Sequence, residues 1–111
     1  MMTSLENSIV VVNEGNALLV VFPKGTTVPA TFTAFFTTQT ETQTSIEIEL
    51  AELIDNVPMQ PFAVFKVAEI PTESTSKPLI EVTFKVARPK MIVCFARDHH
   101  TGQTLLATRL P

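Results

Sequence analysis

The sequence predicts an all-β fold, an antiparallel two-sheet β-sandwich of about eight strands. Three observations lead there. Short β-branched runs are bounded by turn residues throughout the chain. The segment Leu79 to Val86 alternates cleanly, with Ile80, Val82, Phe84 and Val86 against Glu81, Thr83 and Lys85. Only one stretch, between Thr44 and Asp55, has apolar residues at helical spacing.

In chain order, Ile9 to Val12 and Ala17 to Phe22 flank the turn Asn13 to Asn16, where Gly15 can supply a positive φ, and together they read as a β-hairpin. Pro23 has no N–H to donate and ends that ladder. Ala30 to Thr37 places Phe32, Ala34 and Phe36 on one face and threonines with Phe35 on the other, a pattern suited to a half-wetted strand. Thr38 to Thr44 is polar and reads as a loop.

The next segment is ambiguous. Ile46, Leu50, Leu53 and Ile54 have helical spacing, and Thr44 with Glu47 imitates a capping box. Yet Ile46, Ile48 and Leu50 alternate with Glu47 and Glu49, the period of a strand with one wet face. From pattern alone, strand and helix both stand. Two prolines in Asn56 to Pro61 should break any element. Phe62 to Val67 is a short strand ended by Ile70-Pro71, and Pro71 to Pro78 is a polar loop. The "ARPK" turn leads to Met91 to Ala96, apolar on both faces. A turn through Gly102 precedes the last strand, Thr104 to Leu110.

The chain has 111 residues, a net charge of −3 and one cysteine. A chain of this size buries roughly 65% of its unfolded surface, enough for one core. No linker or repeat divides it, so residues 1–111 are expected to form one domain. The acidic balance offers no footprint for nucleic acid or an anionic membrane. The apolar runs are too short to span a bilayer, and the N-terminus lacks a signal-peptide pattern. A cytoplasmic location is expected.

Catalytic patterns are thin. His99 and His100 are adjacent and, in extended chain, diverge too far to chelate one ion together. Glu47, Glu49 and Glu52 fit the wet face of a strand. Asp98 beside His99 lacks a third group and a pocket. Cys94 lies in an apolar run and reads as a buried, inert thiol. There is no glycine-rich phosphate loop. The chain is therefore expected not to be an enzyme and to need no cofactor or metal.

Four stretches resemble a known family. "KGTTVP" (Lys24 to Pro29) is similar to the "K-N-T-T-I-P" turn of the 70-kilodalton heat-shock chaperones. Phe36-Thr37, the "TQTETQTS" loop and the Ile46 to Leu50 alternation match that family's Phe-Ser end, polar loop and Val/Ile strand. "LIEVTFKV" (Leu79 to Val86) is similar to "Q-I-E-V-T-F-D-I", and "ARDHHTG" (Ala96 to Gly102) to "A-K-D-K-x-[ST]-G". The matches span Ser8 to Leu110 and resemble the family's peptide-binding β-sandwich. The resemblance implies that Ser45 to Leu50 is strand.

It further implies a channel for an extended hydrophobic peptide, as in chaperones of protein folding and the stress response. Val11, Phe36, Ile46, Ile48 and Ile80 would line the central pocket, although the same five positions also suit plain sandwich core. Backbone contacts would come from Val12 and Asn13, with Thr37, Gln43 and Ser45. Glu14 and Gln39 occupy positions where the family has apolar or small residues arching over the peptide, and Glu14 should favour peptides with basic flanks. Asn16 replaces a second glycine. The chain carries no ATPase domain, interdomain linker or helical lid, so nucleotide-independent binding with fast exchange is expected. An interaction scaffold that keeps the sandwich but has lost the channel is the alternative. Met91, Val93 and Phe95 share one face of their strand and Ile92, Cys94 and Ala96 the other, and a strand apolar on both faces must be covered, which suggests self-association through Met91 to Ala96 or a protein partner.

Overall fold

The computed structural model describes residues 3–12, 18–38, 43–71, 78–88 and 91–111. Its strands are Thr3–Ser4 (β1), Ser8–Val12 (β2), Leu18–Phe22 (β3), Thr27–Val28 (β4), Ala30–Thr37 (β5), Ile46–Ile54 (β6), Val57–Pro58 (β7), Ala63–Ala68 (β8), Leu79–Arg88 (β9), Met91–Asp98 (β10) and Thr104–Arg109 (β11). Eight of these are the expected strands. The other three are two-residue pairings that carry no periodicity for a sequence to reveal. The hairpin turn at residues 13–16, most of the loop from Pro71 to Pro78, and Pro89 and Lys90 of the "ARPK" turn lie outside the described residues.

All pairings among the described residues are antiparallel: eight strands follow one path, β3-β2-β6-β8-β11-β10-β9-β5, β7 pairs with β6 beside it, and β1 pairs with β4 in a separate two-stranded sheet. The path folds into two layers at β11, whose Thr104 and Leu105 pair with β10 while Leu106 to Arg109 pair with β8. The two ends of the path meet where the Phe22 and Phe32 rings pack edge to face at 6.4 Å. Between the layers, Ile9, Val11, Ile48, Leu50, Phe65 and Val67 meet Ile80, Val82, Phe84, Val86, Ile92 and Cys94 in one buried cluster. The period-2 apolar faces of β6 and β9 thus find each other, and this burial is the dominant favourable contribution to the fold.

The ambiguous segment is strand from Ile46 to Ile54, starting one residue later and ending four residues later than the resemblance implied. Leu50 faces the core while Ala51 is buried on the opposite face beside its cross-strand partner Val10, which is also buried. Two-sided burial at this point interrupts the alternation and produces the helix-like spacing. Asp55 and Asn56 then take positive φ values of 52° and 63°, the conformation of a two-residue hairpin turn. The chain reverses so that Ile54 pairs with Val57 and Leu53 with Pro58. The first proline of the 56–61 segment therefore sits on an edge pairing, where its missing N–H is tolerated, instead of ending all structure.

The "ARDHHTG" segment ends β10 and turns. The buried Asp98 carboxylate accepts from the His100 backbone N–H at 3.2 Å and from Thr101 Oγ1 at 2.9 Å. Gly102 N–H donates to the Asp98 carbonyl at 2.8 Å, with Gly102 at φ 76°, a region that favours glycine. His99 N–H donates to the Leu79 carbonyl, which ties the turn to the start of β9.

Candidate peptide-binding site

The five apolar pocket positions come from four strands, and register brings them together. Phe36 on β5 is the cross-strand partner of Ile80 on β9. Ile46 and Ile48 on β6 pair with Val67 and Phe65, and Val11 on β2 pairs with Leu50. All five belong to one apolar cluster, but unequally. Val11, Ile48 and Ile80 are buried at 1%, 2% and 0% exposure, whereas Phe36 and Ile46 pack against the cluster only partly covered. Phe36 also stacks edge to face on Phe84 at 6.3 Å. Three of the five are thus core residues, and Phe36 and Ile46 are the two that keep some exposure. In sequence, Phe36 precedes and Ile46 follows the 39–42 segment by a few residues, and Val11 and Val12 lead into 13–17.

The polar candidates are engaged within the chain. Thr37 Oγ1 donates to the Pro78 carbonyl at 2.8 Å, joining the end of β5 to the start of β9. Gln43 Nε2 donates to the Ser45 carbonyl at 2.7 Å, and so braces the entry into β6. Thr44 contributes its carbonyl to the Ile70 N–H at 2.9 Å. Val12 and Ser45 are half-buried. Asn13, Glu14 and Gln39 lie outside the described residues.

Thr38, the first residue of the expected polar loop, does lie past the end of β5, but its side chain is buried at 1% exposure. A signal for it existed: the alternation that turns Phe32, Ala34 and Phe36 inward continues to position 38. Among the described residues, no buried side-chain nitrogen or oxygen lacks a partner, and no group of three metal-binding side chains occurs. His99 and His100 sit in a turn with ring centroids 6.0 Å apart, and His99 packs edge to face on Phe35 at 5.3 Å. Burial pushes the Cys94 thiol up to about 12, the opposite of what a nucleophile needs. Among the described residues, no helix is long and apolar enough to cross a membrane.

No curated protein matches the chain. A family model described as Hsp70 protein matches residues 3–107, nearly the whole length, and includes every element described above except the end of β11. The chain belongs to the Hsp70 protein family.

Proposed function

We propose that this chain binds short, extended, hydrophobic peptide segments without nucleotide and without catalysis, at the end of the sandwich where Phe36 and Ile46 emerge. The observation that carries this reading is the unequal burial of the five apolar positions. Three are buried in the core and two that pack against the same cluster are only partly covered, as a shallow apolar seat requires. An extended peptide presents free backbone N–H and C=O groups, and one buried leucine side chain would contribute about 1.5–3 kcal/mol. Family membership supports a chaperone-related role. Unfolded chains with exposed apolar segments are the proposed partners, and the cytoplasm the proposed location.

One observation favours the scaffold reading instead. Thr37 and Gln43, the side chains assigned to the peptide, already bond to Pro78 and Ser45. A labelled heptapeptide centred on leucine separates the two by fluorescence anisotropy. Saturable binding that Phe36→Asp removes, with strand content unchanged by circular dichroism, supports the peptide site. A folded chain that gives no saturation up to millimolar peptide sinks it and leaves the scaffold.

The second proposed partner is another copy of the chain. Met91, Val93 and Phe95 are 59%, 52% and 56% exposed on the outer face of β10, while Ile92, Cys94 and Ala96 between them are buried. Apolar side chains on both faces of one strand leave one face to be covered by a partner.

A further inference from the structure

At the other end of the β5–β9 ladder, where Ala30 pairs with Val86 in place of Thr37 with Leu79, residues of β5, β9 and β10 together with Arg109 of β11 line a cleft of about 570 Å³. Its wall includes Ala30, Val86, Met91 and Ile92, and its two charged residues are Lys85 and Arg109. We propose that this cleft binds a small amphipathic anion, a single carboxylate on an aliphatic body. This site is separate from the proposed peptide seat and does not rest on it.

Three features support this assignment. The volume falls within the range of small-molecule sites, which are apolar with a few polar groups that fix orientation. The charge is one-sided: the whole chain has 11 acidic and 8 basic residues, yet the cleft is lined by two cations and no carboxylate. Finally, both cations are held without an acidic partner among the described residues. Lys85 Nζ stands 5.2 Å from the centroid of the Phe95 ring. Arg109 Nη2 donates to the Phe62 carbonyl at 3.2 Å. Arg109 lies on the same alternation as the buried Leu105 and half-buried Ala107, so it continues the inward face of β11 to the cleft. A guanidinium held by one nitrogen keeps further N–H donors for a carboxylate, and such charge-assisted bonds are the strong ones. A monoanion suits the apolar wall better than a dianion, whose desolvation costs more.

The test is a titration of the 15N-labelled chain with decanoate below its micelle concentration, followed by amide chemical shifts. Saturable shifts should centre on Ala30, Ala87 and Met91 and spare Val11, Phe36 and Ile46. Arg109→Gln should weaken binding about tenfold, the loss expected for one charge-assisted contact. Ala87→Trp, at an exposed position of the cleft wall, should abolish it with the spectrum otherwise dispersed. Lys85→Gln repeats the charge test should Arg109→Gln lose dispersion. The proposal is overturned by an absence of saturation at millimolar decanoate, by equal binding of decanol, or by affinity unchanged in these variants. Shifts produced only by phosphatidylglycerol vesicles also overturn it, since they would make the cations a lipid-surface contact.

Discussion

Phe36 and Ile80 face each other across the β5–β9 ladder, one partly covered and the other fully buried. The same register pair therefore joins the proposed peptide seat to the centre of the core. A charge at Phe36 can remain hydrated, whereas a charge at Ile80 cannot. Phe36→Asp should keep a cooperative unfolding transition and lose peptide binding. Ile80→Asp should unfold the chain. Circular dichroism with peptide anisotropy reads both, and a Phe36→Asp protein that still binds the leucine heptapeptide removes Phe36 from the seat.

Phe84 is fully buried between the layers, with Phe36 against its edge. Phe84→Ala should destabilise the fold by about 3–5 kcal/mol through lost transfer energy and the cavity left behind. Urea denaturation measures this. A loss near zero would mean that the two layers do not close over this ring.

The Asp98 turn holds the end of β10 through bonds to the His100 N–H and Thr101 Oγ1. Asp98→Ala leaves both donors without that acceptor and should cost about 1–3 kcal/mol. Amide hydrogen exchange should quicken at His100 and not at residues of β2. Protection unchanged at His100 would show that the turn stands without the carboxylate.

The Cys94 thiol is pushed from 9.0 up to about 12 by burial. Its neutral form is favoured in the folded state, so stability is intact below the unfolded value and falls as pH rises from 9 toward 12. Cys94→Ala lacks this dependence. The stability difference between parent and variant should therefore shift against the parent across that window, as denaturant midpoints would report. In the native state the thiol should resist disulfide reagents at pH 8, and rapid modification without unfolding would contradict its burial.

The outer face of β10 is predicted to drive self-association. The double variant Val93→Thr/Phe95→Thr should move the chain toward monomer in sedimentation velocity, with stability changed by about 0.5 kcal/mol or less, as for exposed sites. A parent chain that stays monomeric at high concentration rules this out.

Much of the architecture was legible because its signals are local. The alternation in Leu79 to Val86, Pro23 after Phe22 and Gly102 after Asp98 each constrain only a few neighbouring residues. The full extent of β6 was not legible. Its buried Ala51 depends on Val10, which lies 41 positions earlier and meets it only through the β2–β6 register. The β6–β7 hairpin was missed for a related reason, since Asp55 and Asn56 tolerate positive φ without announcing it as glycine would.

The amino-acid order alone determined the strand composition and the family's motifs, because each of these is written in neighbouring side chains. Only the tertiary structure decided that Val11, Ile48 and Ile80 are sealed while Phe36 and Ile46 stay partly open, and that Lys85 and Arg109 share an apolar cleft. Those distinctions depend on how two layers close over one another. Exposure is a property of the packed whole, and residues of identical apolar character differ in it according to what the opposite sheet places above them.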